Sequence, residues 1–330
     1  MKKTYANIVG CGSYVPDKVL SNADLSKMVE TTDEWITSRT GIRERRIAAS
    51  DQGVSDLAVP AIKNALAQAK ISAEDLELIV VGTCSPDYQV FPSTGCVIQD
   101  KIGAKNAAAF DVSAACSGFI FALSIAQQYI ENGTHKHVLV VGADELSKSL
   151  NWKDRGTCVL FGDGAGAVVL NPNTEYGILS THLGVVGSGG KHLLVPGGGT
   201  KRPMSQEVLD QKLNTIQMNG KEVFRFAVWA VEESLGQVLA KTKVKKEDLK
   251  LFIPHQANMR IINHAIKHMG FPKEKVYANL DRYGNTSAAS IPLALDEAFR
   301  NGKIKKGDLI AACGFGAGLT YGAALIKWGI

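Results

Sequence analysis

Three polar residues, Cys116, His255 and Asn285, stand where runs of strand length end and a helix is expected to begin. Cys116 follows the run AAAFDV and the small-residue turn SAA, and it opens the apolar stretch SGFIFALSIAQQYI. A thiol at a helix N-terminus feels a partial positive charge, which favours the thiolate and lowers the pKa. Cys116 is therefore predicted to be a nucleophile, although a packed structural cysteine is the commoner role for any one cysteine.

His255 and Asn285 occupy comparable positions in the second part of the chain. His255 ends the apolar run LKLFIP and precedes ANMRIINHAIKHM, which predicts a helix over 257–269 that Gly270 can end. Asn285 lies in YGNTSAAS, a segment of the same kind as the one that carries the cysteine. A lone histidine or asparagine is more often a structural group or a helix cap than a catalyst. Three such residues at corresponding strand ends favour a shared site.

Four pairs of segments are similar and recur in the same order along the chain. The pairs are 74–84 and 247–256, 107–118 and 276–290, 137–144 and 308–316, and 166–170 and 322–326. Such a duplication predicts two similar halves, 1–173 and 174–330. The first half carries the candidate nucleophile Cys116, and the second carries His255 and Asn285.

Apolar strands alternate with helical stretches in both predicted halves. Examples of these stretches are 54–70 and 220–241. The alternation predicts an α/β fold with mainly parallel sheets covered by helices. Active sites of such folds commonly lie at the carboxyl ends of strands. Because duplication places corresponding strand ends side by side, the site is expected at the interface between the halves.

A glycine-rich loop at 314–320 follows the apolar strand LIAAC. Backbone N–H groups in a loop of this kind can point at an anionic oxygen. Neither this loop nor the glycines at 162–166 match G-x-G-x-x-G. The sequence also contains no P-loop, HExxH or G-x-S-x-G element. A dinucleotide site is therefore weakly supported.

The composition excludes several other classes of protein. The chain has 330 residues, 45% of them hydrophobic, which is enough for a large core, and its net charge of +5 gives no support for nucleic-acid binding. Its six cysteines are dispersed without a CxxC pair, which indicates reduced thiols and no metal site. The start has no apolar stretch long enough for a signal peptide before Gly10, and no window approaches the length of a membrane span, so a cytoplasmic protein is expected.

The motifs DVSAACSGF, HQANMR, YGNTSAASIP and GFGAGLTYG, in this order, resemble those of β-ketoacyl-acyl carrier protein synthase III, a branch of the thiolase-like condensing enzymes. GIRERRI near the start and FGDGAGAVVL in the middle extend the resemblance over the whole chain. Elongating synthases use two histidines and thiolases use a second cysteine. The set of Cys116, His255 and Asn285 therefore fits the initiating branch.

The resemblance implies a homodimer of five-layered αβαβα subunits with internal duplication, and a reaction without a resident cofactor. Cys116 would take an acyl group from acyl-coenzyme A, and malonyl-acyl carrier protein would then lose carbon dioxide and attack the acyl-enzyme. His255 and Asn285 would stabilise the enolate as neutral donors. The N–H groups of Cys116 and Ala317 would form the oxyanion hole.

The resemblance also implies the residues that hold the substrates. Trp35 and Arg39 are four residues apart in TTDEWITSRTG and share a helix face. With Arg155 they would bind the adenine and a phosphate of coenzyme A, and Asn258 would contact the pantetheine arm. A core tryptophan with a surface arginine is the alternative that the spacing alone favours.

Two further roles follow from the same resemblance. Phe91 in YQVFPS matches a residue that reaches across the dimer and limits the acyl pocket. Arg260 and Lys267 lie seven residues apart on the helix after His255, and they would form a dock for an acidic carrier protein.

Other functions remain open at this stage. One is a related acyltransferase that does not decarboxylate, or a condensing enzyme of secondary metabolism, which the motifs do not separate from a fatty-acid enzyme. Another is a non-catalytic module that binds coenzyme A or a carrier protein, against which the intact Cys, His and Asn argue. A dinucleotide oxidoreductase rests only on glycine loops of the wrong spacing. The primer, whether acetyl, longer straight or branched, is not specified.

Overall fold

The computed structural model describes residues 3–330, so Met1 and Lys2, the first two residues of the predicted half 1–173, lie outside the described part. The strands are β1 (Tyr5–Tyr14), β2 (Val19–Ser21), β3 (Glu44–Arg46), β4 (Leu78–Gly82), β5 (Ala108–Val112), β6 (Val138–Asp144), β7 (Gly164–Asn173), β8 (Gly177–Val185), β9 (Leu193–Leu194), β10 (Gln217–Met218), β11 (Leu251–Pro254), β12 (Leu309–Gly316) and β13 (Thr320–Lys327). The α-helices are α1 (Asn22–Leu25), α2 (Asp33–Thr40), α3 (Val54–Ala69), α4 (Thr94–Ile102), α5 (Gly118–Glu131), α6 (Gln206–Asp210), α7 (Gly220–Thr242), α8 (Met259–His268), α9 (Leu280–Tyr283) and α10 (Ser290–Arg300).

Two large sheets share one strand order. The first sheet runs β1-β7-β6-β4-β5 and the second, read from the same side, runs β8-β13-β12-β11. In each sheet, read in this order, the first two pairings are antiparallel and the remaining pairings are parallel. The counterpart of β5 is reduced to one parallel bridge between Phe252 and Val276. The division into domains at 173/174 stays a prediction.

Helices cover the two sheets in three layers. Helices α5 and α10 pack between the sheets in a core that includes residues of both. Helix α3 packs on the outer face of the first sheet, and α7 and α8 pack on the outer face of the second. The predicted five-layered αβαβα architecture is therefore confirmed. The predicted helices 54–70 and 220–241 correspond to α3 and α7.

Helix α5 lies at the centre of the molecule because almost every face of it is apolar. Phe119 and Leu123 are fully buried, and burying a side chain of this size stabilises the fold by about 1.5–3 kcal/mol. The helix start presses directly against the first sheet at Gly82. A Cβ atom at that glycine would lie 2.4 Å from the carbonyl carbon of Gly118. This close approach sets the position of the residues just before α5.

Equivalent backbone elbows precede α5 and α10. Ala115 has φ +46° and Ser287 has φ +51°, each three residues before its helix begins. Left-handed backbone costs a residue with a side chain roughly 1–2 kcal/mol, so the surrounding structure must hold both elbows. A short 3-10 turn follows each of them, Ala115–Ser117 and Ser287–Ala289. The duplication thus extends to the local geometry around the candidate nucleophile.

Among residues 3–330, no helix combines the length and the apolar character that crossing a bilayer needs.

Candidate active site

Cys116 lies in the 3-10 turn between β5 and α5, where two cavities meet. Its side chain is buried, and it lines both cavities. Gly316, at the end of β12, packs against it from the second half of the chain. A Cβ atom at Gly316 would lie 2.8 Å from both the Cβ and the N atom of Cys116, so only glycine fits there. The cysteine and the glycine loop are therefore in direct contact.

The thiol of Cys116 does not have the lowered pKa that its position in the sequence predicts. Burial raises the pKa of Cys116 to about 12, a hydrogen bond with Ser287 opposes that rise, and the charge of Asp144 adds to it. Helix α5 begins only at Gly118, so the sulfur lies one turn before the helix and is shielded from water. The expectation of a thiolate in the free protein is therefore wrong, because desolvation outweighs the helix terminus.

His255 follows β11 and is held by contacts on three sides. Its backbone N–H donates to Cys313 O at 2.7 Å, and its Nδ1 atom lies 2.6 Å from Ser290 Oγ. Its ring packs edge-to-face on Phe315 with the centroids 5.0 Å apart. Burial lowers the pKa of His255 to about 3, so the imidazole is neutral. Because Nδ1 of the neutral ring is already hydrogen-bonded, Nε2 is the ring atom that remains for a ligand in the cavity.

Asn285 reaches the site from the loop that precedes the second elbow. Its backbone N–H donates to Leu160 O at 2.8 Å and its carbonyl accepts from Gly162 N–H at 3.0 Å. Its side-chain Oδ1 accepts from Ser287 N–H at 2.8 Å. Since that oxygen is engaged, the NH₂ group is the part of the amide that remains for a ligand. The side chain lines the same cavity as Cys116 and His255.

The first cavity, of about 250 Å³, leads from Cys116 to the surface beside α2 and α8. At its mouth two guanidinium groups pack over the Trp35 ring. The Arg39 Cζ atom is 5.5 Å from the ring centroid and the Arg155 Cζ atom is 5.1 Å from it. Arg155 also donates to Glu30 O at 3.1 Å. The structure therefore brings the three predicted coenzyme residues together at one opening.

Asn258 and Arg260 line the same cavity from the start of α8. Asn258 caps that helix, because its Oδ1 accepts from Arg260 N–H at 2.8 Å. This cap makes the helix begin at Met259 rather than at the predicted residue 257. Lys267 lies near the other end of α8, exposed and outside the cavity lining. Ile262 and Ile266 are buried on the opposite side, which leaves Arg260 and Lys267 facing solvent.

The second cavity, of about 190 Å³, extends from Cys116 in the other direction and is mainly apolar. Ala317 lines it beside the nucleophile. Its remaining walls come from several elements, and they include Cys84, Leu146, Leu194, Val195 and Ile216. Phe91 does not line this cavity within the chain. It lies on the surface and is 81% exposed.

Three residues near the site were not singled out from the sequence. Ser287 and Ser290 belong to the SAAS run. The similarity of this run to the segment that carries Cys116 could have pointed to them. Asp144 ends β6 and is fully buried, and its Oδ1 accepts from Cys84 N–H at 2.8 Å. Its Oδ2 accepts from Ala288 N–H at 3.1 Å. Asp144 thus ties the wall of the second cavity to the second elbow.

Comparison with known proteins gives a consistent result. The family model described as 3-oxoacyl-[acyl-carrier-protein (ACP)] synthase III matches residues 110–187, and the model of its C-terminal part matches residues 239–328. The β-ketoacyl-[acyl-carrier-protein] synthase III of Caldanaerobacter subterraneus subsp. tengcongensis is 55% identical over 328 residues, which are 99% of each chain.

Solved structures agree over the whole chain. The 3-oxoacyl-[acyl-carrier-protein] synthase III of Aquifex aeolicus is 48% identical with a TM-score of 0.90, covering 98% of this chain and all of that one. The priming β-ketosynthase of the R1128 polyketide pathway is 36% identical with a TM-score of 0.92, covering 99% of this chain and 97% of that one. This chain therefore belongs to the β-ketoacyl-[acyl-carrier-protein] synthase III family of condensing enzymes.

Proposed function

We propose that this chain catalyses the decarboxylative Claisen condensation of an acyl-coenzyme A primer with malonyl-acyl carrier protein. The products are 3-oxoacyl-acyl carrier protein, coenzyme A and carbon dioxide, and the reaction initiates type II fatty acid synthesis. The observation that carries this proposal is the position of Cys116 between two unlike cavities. One cavity is mainly apolar and suits an acyl chain, and the other opens beside three cationic or aromatic side chains and suits a coenzyme arm.

The first stage is a thioester exchange at Cys116. The sulfur attacks the primer carbonyl, the bond to the coenzyme sulfur breaks, and the thiol proton ends on the departing coenzyme thiol. Because the pKa of Cys116 is about 12, deprotonation accompanies the attack instead of preceding it. The N–H groups of Cys116 and Ala317 would stabilise the tetrahedral oxyanion. Splitting the condensation into two stages in this way lowers each barrier.

The second stage uses the two neutral donors of the second half. Nε2 of His255 and the NH₂ of Asn285 would bind the thioester oxygen of the malonyl group as it becomes an enolate. Carbon dioxide leaves, and the carbanion attacks the acyl-enzyme carbonyl. The Cys116 sulfur is then the leaving group, and its thiolate takes up one proton from solvent, because the original thiol proton left with the coenzyme. Because burial keeps the imidazole uncharged, it would stabilise this charge as a neutral hydrogen-bond donor.

Coenzyme A would bind at the mouth of the first cavity. Trp35 and Arg155 lie too close together to hold an adenine between them, because a stacked base needs about 7 Å, twice a contact distance of about 3.5 Å. Arg155 is exposed and would swing outward by roughly 2 Å from its 5.1 Å position over the ring. Arg39 would then meet a phosphate, and Asn258 would donate to the pantetheine arm. Arg260 and Lys267 would dock the acidic carrier protein.

We also propose a cytoplasmic homodimer with one reaction centre per chain and no resident cofactor. Strand β5 is the open edge of the first sheet, and an unpaired edge is a ready surface for a second copy. Val90 and Phe91 lie beyond this sheet and are 79% and 81% exposed, as expected for residues that a partner covers. In such a dimer Phe91 would close the acyl pocket of the other subunit. The segments 1–173 and 174–330 would form the two thiolase-like halves.

A condensing enzyme of secondary metabolism is the second candidate. Its support is the 36% identity to a protein described as a polyketide priming ketosynthase. The 55% identity to a β-ketoacyl-[acyl-carrier-protein] synthase III favours a role in fatty acid synthesis.

Acyl transfer to a defined sulfur tests the proposal. Wild-type protein is incubated with acetyl-, butyryl- and branched acyl-coenzyme A, and the modified cysteine is located by mass spectrometry. We expect the acyl group on Cys116 and none in Cys116→Ser, whereas Cys84→Ser, which alters the same cavity, should still be acylated. Acylation of another cysteine would refute the assignment of the nucleophile.

The second half of the test adds malonyl-acyl carrier protein and measures release of carbon dioxide and formation of the 3-oxoacyl product. His255→Ala and Asn285→Ala should keep the acyl-enzyme and lose at least about 100-fold in decarboxylation. Acyl transfer to the carrier without carbon dioxide would instead identify a non-decarboxylating acyltransferase.

A further inference from the structure

The hydroxyl of Thr320 joins the two loops that meet at the candidate nucleophile. Thr320 is the first residue of β13, and its Oγ1 lies 2.9 Å from Ala114 O and 2.9 Å from Ala317 O. It also lies 3.2 Å from Ser117 Oγ. Ala114 belongs to the loop that carries Cys116, and Ala317 belongs to the glycine loop of the other half. One side chain therefore contacts both sides of the site.

These contacts form a connected network. Ala114 O also accepts from Ser117 N–H at 3.1 Å, and Ala317 O accepts from the backbone N–H of Thr320. The single hydroxyl hydrogen of Thr320 bonds one of three acceptors at a time, which are Ala114 O, Ala317 O and Ser117 Oγ. When the hydroxyl donates to Ala114 O, the backbone N–H of the same residue still bonds Ala317 O, so Thr320 holds both loops at once.

The contacts of Thr320 matter because they lie next to strained backbone and next to the candidate nucleophile. Ala114 immediately precedes Ala115, whose φ of +46° turns the chain toward Cys116. Gly318, just after Ala317, has φ +130°. Ala114 lies outside regular helices and strands, and Ala317–Leu319 form the short connection between the paired ends of β12 and β13. Thr320 therefore restrains the two segments whose N–H groups are proposed to form the oxyanion hole.

We infer that Thr320 is a positioning residue that sets the separation of the Cys116 and Ala317 N–H groups, and so aligns the oxyanion hole. This inference rests on the proposed function, since it requires a thioester carbonyl at Cys116. Thr320 touches neither the sulfur nor His255, so it acts through the two backbones. Its effect should appear in formation of the tetrahedral intermediate and not in the affinity for coenzyme A.

Acylation kinetics of four variants test this inference. Thr320→Val removes the hydroxyl and keeps the shape, and Thr320→Ser keeps the hydroxyl and removes the methyl group. Thr320→Ala removes both groups, so the ratio of the Ser and Ala rates isolates the hydroxyl if the Val variant does not fold. Thr181→Val is the matched control, because Thr181 is a half-buried threonine of the same sheet whose hydroxyl bonds Ser124 and Gln127.

The single-turnover acylation rate of Cys116, the Kd of coenzyme A and the melting temperature are measured for each variant. Thr320→Val and Thr320→Ala should acylate about 10- to 100-fold more slowly with the Kd unchanged. Thr320→Ser should recover most of the rate, and Thr181→Val should match the wild type. A purely structural threonine would instead lower the melting temperature and weaken binding without a selective loss of rate.

Two results would overturn the inference. One is a wild-type acylation rate in Thr320→Val, and the other is equal impairment of the Ser and Ala variants, which would assign the effect to the methyl group. A wild-type protein that forms no acyl-enzyme at Cys116 would instead refute the proposed function itself. The two failures are therefore distinguished by the wild-type measurement.

Discussion

The Nδ1 atom of His255 lies 2.6 Å from the Oγ atom of Ser290, the first residue of α10. The same oxygen lies 3.5 Å from the N atom of Gln256, whose N–H points toward it. If the oxygen accepts from this amide, its hydroxyl hydrogen is directed at Nδ1, and the ring proton must then reside on Nε2. That tautomer is the one that can donate to a substrate oxygen in the cavity.

Replacing Ser290 by alanine should therefore impair decarboxylation and spare acylation. Without the hydroxyl, the neutral ring can also place its proton on Nδ1, and we expect carbon dioxide release from malonyl-acyl carrier protein to fall about tenfold. Ser55→Ala, which removes a fully buried hydroxyl in α3 far from His255, is the control. Unchanged decarboxylation in Ser290→Ala would show that the ring needs no such partner.

The low pKa of His255 leads to a prediction about pH. The folded protein keeps His255 neutral down to a pKa of about 3, whereas an exposed histidine in the unfolded chain titrates near 6.5. Below pH 6.5 the unfolded chain binds one more proton, so stability falls as pH falls from 6.5 toward 3. Between pH 7.5 and 5 this residue alone should lower the free energy of unfolding by about 2 kcal/mol.

Denaturant unfolding of the wild type and of His255→Gln at both pH values measures this difference. His255→Gln should not show the part of the loss in free energy of unfolding that His255 causes in the wild type as pH falls. The decarboxylation rate of the wild type should show no ionisation near pH 6.5, since the ring is neutral throughout. A rate profile with a limb of pKa about 6.5 would contradict a neutral buried imidazole.

Cys116 should alkylate slowly in the free protein. With a pKa of about 12 its thiolate is about three orders of magnitude rarer at neutral pH than that of a free cysteine with a pKa of about 8.5. The rate with iodoacetamide, followed at the Cys116 peptide by mass spectrometry, should rise about tenfold per pH unit from pH 7 to 11. The exposed Cys96 provides an internal reference. A plateau below pH 9 would show that the sulfur is ionised more easily than its burial implies.

Reversing the charge on α8 should weaken use of the carrier protein. Lys267→Glu is the cleaner variant, because Arg260 also lines the coenzyme cavity and Lys267 does not. We expect the KM for malonyl-acyl carrier protein to rise about five- to tenfold at low salt, with acylation by acyl-coenzyme A unchanged. Lys63→Glu alters an exposed lysine on α3, in the opposite outer layer of the fold, and should have no effect. An equal loss in both assays would remove the docking proposal.

The fold and the meeting of Cys116, His255 and Asn285 follow from local patterns. The repeated strands end in the same order in both halves, and parallel neighbours bring such ends together. Helices α3 and α7 were predictable from their apolar periodicity. These features depend on short stretches of sequence and on duplication, both of which can be read directly.

Features that depend on distant contacts were not predictable. The pKa of Cys116 is set by burial and by Asp144, which no local pattern places beside the sulfur. The contact of Ser290 with His255 spans 35 residues, and that of Thr320 with Ala114 spans 206. The reduction of the β5 counterpart to a single bridge at Val276 is also invisible in the sequence, because the segment VYANL retains strand-forming residues.

The second elbow has a consequence for stoichiometry. Ala288 is the middle residue of its turn, as Cys116 is of the first, so internal symmetry would allow a second sulfur there. Its N–H group, however, is already bonded to the buried carboxylate of Asp144. A negative charge developing at that position would meet another negative charge in a medium of low dielectric constant. We therefore expect each polypeptide to carry a single acyl group per turnover, although its architecture is twofold.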